Sequence, residues 1–285
     1  MQAASSYPEE ATAAFFCDPP WQGGAPRYKI GLSPIDRRAW LQEPASPEDH
    51  VRKQTLYASR MNDVVAIQKA AERHVEPFVA LLRDHCGELG YPTPASGFGN
   101  FADAALWVPD DLCLMVRSGH QYALAAASLC APSFWTLREK LGQPLIGLHA
   151  GHEGLNELLA DRMQAVFERL PQDRVLARSN WFLHGPSQLF EPRDRTIDDP
   201  NCVEDAVIRS ERQTLRRLNA DCVIFTIRVR LIPFARILDF PEAAADMAQT
   251  IRNLTAAELL AFSLRHRISE LLEFLDTSAS NARRR

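Results

Sequence analysis

Two short stretches hold the residue types from which a reactive site is most readily built. "GLHAGHEGLNELLADRM" places His149 and His152 three positions apart, where an apolar run gives way to an amphipathic helix. Histidines at that spacing on a helix share a face, so a two-histidine metal site is open to them. Zinc or non-heme iron would need one or two further ligands, and none nearby is spaced to supply them. One axial heme ligand needs less: a single imidazole, a neighbour that orients its other nitrogen, and an apolar pocket. A third reading is a histidine pair that finishes a glycine-containing turn and has no chemistry. Local spacing leaves all three open.

The second stretch is "VIRSERQTLRRL". On a β-strand, side chains alternate between faces. Arg209, Glu211, Gln213 and Leu215 then point one way, and Ser210, Arg212, Thr214 and Arg216 the other. A polar stripe of this kind is either a solvated outer face with exposed ion pairs or the polar lining of a cofactor pocket. In such a pocket an arginine donates to bound oxygen or to a propionate.

The surrounding pattern must position these residues. Residues 1–45 are rich in Pro, Gly and Ala and read as an irregular arm packed through isolated aromatics. Residues 46–100 form a helical front section. Ser46 is an N-cap with Pro47 at the first helical position, and Pro77 kinks or divides a second helical stretch. A core over 101–240 begins with the short apolar runs "ALWVP", "DLCLMVRSG" and "QYALAAASLCAP", which read as strands. "PSFWTLREKLG" reads as a helix stopped at Gly142. Leu155, Leu158, Leu159, Met163, Val166, Phe167 and Leu170 recur at helical spacing. Strands return in "RVLARSNWFLHG", "AVIRSERQTLRRL" and "CVIFTIRVRLIPF", with a hairpin turn at "NAD" between the last two. Residues 241–275 are C-terminal helical sequence, including the amphipathic "TAAELLAFSLRHRISELLEFL", and 276–285 are a tail. The order predicts an α+β fold, a small antiparallel sheet with helices gathered on one face.

Bulk properties exclude several function classes. The chain has 285 residues, 46% hydrophobic and 24% charged, with a formal net charge of -4. That balance argues against nucleic-acid or membrane-surface partners. Six cysteines are scattered without a CxxC pair or the C-x4-C-x2-C spacing of plant-type iron–sulfur proteins. With no basic-then-apolar leader and no apolar run near ~20 residues, the expectation is a reduced, cytoplasmic protein. GxGxxG after a strand, a GK[ST] phosphate loop, a GxSxG elbow and HExxH are all missing. The chain shows no nicotinamide or flavin motif, so the electrons for any redox chemistry must come from another protein.

Several segments, in order, resemble a family pattern. "IGLSPIDRRAWL" (Ile30 to Leu41) is similar to its "MGL.PLD...WL", and "PDDLCLM" (Pro109 to Met115) to its "QEDLCLM". "CAPSFWTLREKLG" (Cys130 to Gly142) matches "CFPS.W.L.EKLG", and "LIGLHAGHE" matches "L..IH.PVP", with His149 at the family's histidine. Arg178, Asn180 and Trp181 match "R.NW". "RSERQTLRRLN" and "IFTIRVRLIPF" match "R.ERQTLRRLP" and "LFTIRTY..PL". The matches are collinear over roughly residues 27 to 238. The chain resembles the α subunit of heme-dependent oxidative N-demethylase and its relatives.

That resemblance implies a heme-binding PAS-like fold and oxygen-dependent, NADPH-driven oxidation of a small methylamine. It further implies heme b (b-type heme) as the cofactor with His149 as its axial ligand, and electrons supplied by companion reductase subunits that carry flavin mononucleotide (FMN) and a [2Fe–2S] cluster. Arg209 or Arg212, with Arg228, would polarise bound oxygen, and Glu211 would orient an arginine or hold a substrate ammonium. Arg178, Asn180, Trp181 and Gln213 would line the cofactor. A biosynthetic tailoring oxygenase on another substrate and a non-catalytic heme-PAS gas sensor are the alternatives. Three departures bear on substrate: "PVP" is "AGH" here, which introduces His152; "RTY" is Arg228–Val229–Arg230; and "QED" is Pro109–Asp110–Asp111.

Overall fold

A computed structural model describes residues 9–145, 156–185, 188–192 and 200–282. His149 and His152 lie outside the described residues. The helices are α1 (Glu9–Cys17), α2 (Pro47–Val64), α3 (Lys69–Glu88), α4 (Asn100–Ala105), α5 (Leu137–Lys140), α6 (Asn156–Arg169), α7 (Pro241–Arg252), α8 (Ala256–Ala261) and α9 (Ile268–Ala282). The strands are β1 (Ser33–Ile35), β2 (Val65–Ile67), β3 (Asp111–Ser118), β4 (Gln121–Ser128), β5 (Val175–His184), β6 (Val207–Asn219) and β7 (Cys222–Pro233). All strand pairs are antiparallel, in the order β1-β5-β6-β7-β3-β4-β2. The architecture is α+β, as the sequence order predicts.

The long strands form where the sequence alternates. β6 and β7 pair from Val207↔Pro233 to Asn219↔Cys222, with Ala220 and Asp221 at the turn. This is the hairpin expected at "NAD". Directly paired residues share a face, so the register sorts every side chain. One face carries Leu112, Leu114, Val116, Ile224 and Cys222 under α3 and α4. Further along the same face, Trp181, Leu183, Ile208 and Ile232 pack under α1, α7 and α9. Helices α3 and α7 owe this docking to apolar residues at helical spacing: Ala71, Phe78 and Leu82 in α3, and Ala244, Met247 and Ile251 in α7. Each such large side chain contributes about 1.5–3 kcal/mol on burial.

The opposite face is covered by α6, through Met163, Val166 and Phe167 against Met115, Val223 and Leu215. Arg217 fixes this helix: its guanidinium donates to the Leu170 carbonyl at 2.5 Å, to that of Phe167, and to that of Glu168 at 3.1 Å. These are orphan carbonyls at a helix C-terminus, where a cation also complements the dipole. Helices therefore lie on both faces, most of them on one.

Local departures have identifiable causes. Ser46 caps α2 in a reciprocal box with Asp49, as expected. Pro77 lies inside an unbroken α3, and the break falls earlier, where Val65–Ile67 leave the helix to pair with β4. "ALWVP" is not a strand but the end of α4 and a turn. The Ala105, Val108 and Asp110 carbonyls there accept hydrogen bonds from the buried Lys53 ammonium at 2.7–2.9 Å, instead of joining a ladder. The "PSFWTLREKLG" helix shrinks to four residues capped by Thr136, because Phe134 (φ +62°) pairs with the Glu191 carbonyl. The N-terminal arm holds a helix and one strand of the sheet, and the final helix is divided at Arg265–Arg267.

Candidate functional site

β6 is charged on both faces at its centre, and the two sets of charges have different partners. On the α6 side, Arg209 donates through Nε to Glu211 Oε1 at 3.2 Å. The other Glu211 oxygen accepts from Gln213 Nε2 at 2.9 Å, and Gln213 Oε1 accepts from Arg178 Nε on β5 at 2.7 Å. The result is a closed row, Arg178–Gln213–Glu211–Arg209, spanning two strands. The expected alternation of Arg209, Glu211 and Gln213 holds.

Arg209 is fully buried and its other nitrogens reach the Ala131 carbonyl and the Leu189 carbonyl, the latter at 3.4 Å. The Cys130–Ala131 backbone is held from its other side, where Asp111 accepts from Cys130 N at 2.7 Å and Ala131 N at 3.0 Å. Burial pushes the Asp111 carboxyl up, opposed by Lys53 and these two N–H donors. Arg178 is pulled down by burial, opposed by Glu211, and remains a cation because guanidinium deprotonates only at very high pH.

The same face carries half-buried apolar side chains: Leu176 and Phe225 against α6, and beyond them Phe182, Ile227 and Leu231. Asn180, opposite Glu211, accepts from Arg27 NH1 at 2.7 Å. His184 ends this side of β5, buried, with its ring 5.4 Å from that of Phe134.

The other face holds an ionic belt between the two apolar clusters. Arg212 donates to the Ala39 and Trp40 carbonyls at 2.5 and 3.0 Å. Its cross-strand partner Arg228 reaches Glu43 at 2.9 Å and Asp49 at 3.6 Å, and Arg230 meets Glu43 at 3.1 Å. Arg212 is lowered by burial, opposed by Asp110. Burial pushes the Asp110 carboxyl up to about 6, against the pull of Arg228, Lys53 and Arg212. Trp181 also faces this side, packed on Trp21 with ring centroids 5.1 Å apart.

The structure thus brings together Arg178, Asn180, Arg209, Glu211 and Gln213. It sets Trp181, Arg212 and Arg228 on the far side of the sheet, where they tie the arm and α2 to β6 and β7. Sequence reasoning missed His184, although "SNWFLHG" puts it in step with Arg178, Asn180 and Phe182. It also missed Arg27, Glu43 and Lys53, whose partners are distant in sequence and leave no local pattern. Among the described residues no group of three or more His, Cys, Asp or Glu could hold a metal ion, and no helix is long and apolar enough to cross a membrane.

A comparison with the curated proteins finds no match. A family model described as Haem-dependent oxidative N-demethylase, alpha subunit-like, matches residues 100–269. That span contains β3 to β7, α6, the charged row and the segment with His149. Over half of its length is matched, and the chain belongs to the haem-dependent oxidative N-demethylase, alpha subunit-like family.

Proposed function

We propose that the chain is the substrate-oxidising subunit of a heme-dependent N-demethylase. It would take a small N-methyl amine and molecular oxygen, and draw electrons from NADPH through partner subunits carrying FMN and a [2Fe–2S] cluster. The observation that carries this reading is a juxtaposition within the matched residues: a hydrogen-bonded row of buried and half-buried polar side chains beside half-buried apolar ones on one face of β5–β7.

These residues suit a heme. Phe182, Ile227 and Leu231 offer an apolar bed, and no hydrophobic cluster of described residues packs on them. Arg178 and Arg209 offer planar donors suited to carboxylate groups. His149 would hold the heme iron in this reading, on the strength of the family motif. When bound, the heme would supply the redox centre at which oxygen is activated.

The chain's own residues would bind and orient. Both Glu211 oxygens already accept a hydrogen bond, which fixes the carboxylate in place and leaves its remaining lone pairs for a substrate ammonium. Arg209 is locked by Glu211 and the Ala131 and Leu189 carbonyls, a preorganised cation beside the reacting region. Gln213 and Arg178 hold Glu211 in place. Asp111 acts through the Cys130–Ala131 backbone to hold Arg209, and Arg212, Arg228 and Trp181 fix β6 and β5 from behind. The net reaction consumes the N-methyl amine, molecular oxygen, two electrons and two protons. It yields the amine with that methyl replaced by hydrogen, formaldehyde and water.

The test is spectroscopic and chemical. Full-length protein reconstituted with heme should show a Soret band that His149→Ala changes or abolishes and His184→Ala leaves intact. Dimethylamine and related amines should perturb it and release formaldehyde when a reductase is supplied. An unchanged spectrum in His149→Ala would remove that ligand, and no response to any small amine would remove the demethylase reading.

A further inference from the structure

The edge of β5 carries a second polar feature outside the row itself. β1 pairs only with Val175, Leu176 and Ala177, so β5 has no β1 partner from Arg178 onward. The arm residues 26–31 pass this edge and leave a cleft of about 170 Å³. Arg27, Lys29 and Arg178 line it, with Ser179 and Asn180 as polar neighbours. Gly31 (φ +58°) lets the arm turn there, and the Lys29 and Ile30 carbonyls meet Arg178 NH1 at 3.5 and 3.3 Å.

The cations are built in, not loosely attached. Arg27 is buried, with its guanidinium carbon 4.7–5.3 Å from the ring centroids of Tyr28, Trp181 and Phe182. Its NH1 is fixed by Asn180. Arg178 spends Nε on Gln213 and NH1 on the two arm carbonyls, and its NH2 makes no hydrogen bond among the described residues. Among the described residues no carboxylate lines the cleft, and the nearest acid of the row, Glu211, is engaged by Arg209 and Gln213.

We propose that this cleft is a carboxylate-binding site, with Arg178 and Arg27 as the charged donors and Lys29 as an outer steering charge. Its volume falls below the ~300–1,000 Å³ of sites that enclose a whole drug-sized ligand. It therefore suits one carboxylate-bearing arm, or a small carboxylate entire. The chemistry is shared by two sources, a heme propionate and a free small-molecule acid. Only the first rests on the heme reading given above.

Two arms separate the sources in the full-length protein. In the first, acetate and succinate are titrated by calorimetry, with acetamide as the uncharged control. In the second, uptake of hemin is compared with that of hemin dimethyl ester, whose propionates are blocked. A free acid as the source predicts acetate or succinate binding, no acetamide binding, and at least tenfold weakening in Arg27→Gln and Arg178→Gln. A propionate as the source predicts at least tenfold preference for hemin over its ester, lost in the same variants. Arg178→Lys and the exposed Lys29→Gln guard against misfolding, since both should keep the wild-type melting temperature and weaken binding only a few-fold. No discrimination in either arm, or discrimination that both glutamine variants retain, would overturn the proposal. If heme uptake itself fails, the first arm still decides the carboxylate site and the heme reading falls separately.

Discussion

Arg209 and Arg212, three positions apart on β6, act on opposite faces of the sheet. Arg209 closes on Glu211 at 3.2 Å, and Arg212 on the Trp40 carbonyl at 3.0 Å. Their substitutions should therefore separate. Arg212→Ala leaves the Ala39 and Trp40 carbonyls without their donor and should cost about 1–3 kcal/mol in urea denaturation, with no change in the spectrum of the heme-loaded protein. Arg209→Lys keeps the charge but loses the planar fork. It should alter that spectrum and weaken amine-induced changes about tenfold or more, on the scale of a lost charged donor. Matching spectral effects from the two variants would contradict the division of faces.

Lys53 is the second structural pivot. Its buried ammonium serves the Ala105, Val108 and Asp110 carbonyls at 2.7–2.9 Å, and so holds the turn that launches β3. Lys53→Met matches the stem but leaves three acceptors without their donor. A loss of about 3–5 kcal/mol is expected, the scale of breaking a buried charged network. A melting temperature within two or three degrees of wild type, roughly 1 kcal/mol at this size, would show that water replaces the ammonium.

Asp110 should make the fold more stable on its acid side. Burial raises its carboxyl from the ordinary 3.8 to about 6. Between those values the folded chain holds a proton that the unfolded chain has released, so stability falls as pH rises through this window and then levels. Asp110→Asn should remove that fall and gain roughly 1–3 kcal/mol at pH 7. Denaturant midpoints measured at pH 4.5 and pH 7 check the sign; a steeper fall in the variant would refute it.

His85 should act in the opposite sense. Burial, then the Arg216 cation, hold its imidazole below the usual 6.5. Its Nε2 is buried without a hydrogen-bond partner among the described residues, and its ring lies edge-on to Trp40 at 5.0 Å. The unfolded chain takes up a proton first, so stability is present above pH 6.5 and is lost as pH falls below it. His85→Phe keeps the ring contact and removes the titration. Its stability difference from wild type should shift in its favour between pH 7.5 and pH 5.5, whatever the packing cost at neutral pH.

Much of the site was legible because strand periodicity is a local property. "RSERQTLRRL" alternates with period two, so the grouping of Arg209, Glu211 and Gln213 against Arg212 and Arg216 follows once the stretch is a strand. The Ser46 cap and the Asn219–Asp221 turn were legible for the same reason, since their partners lie within a few residues. "ALWVP" misled because its carbonyls belong to Lys53, some fifty residues earlier, and Pro77 misled because packing of Phe78 and Leu82 outweighs one missing backbone bond.

The sequence by itself determined the α+β class, the order of the five long strands β3 to β7 along the chain, the family motifs and which β6 side chains share a face. Only the tertiary structure decided that Arg228 and Trp181 stand with Arg212 behind the sheet, while Arg178 and Asn180 stand with Glu211 in front. That outcome depends on the registers Arg212↔Arg228 and Arg178↔Gln213. A one-residue slip in either pair would exchange the faces. Register is set by which apolar faces are buried across the whole sheet, and no single strand's sequence contains that information.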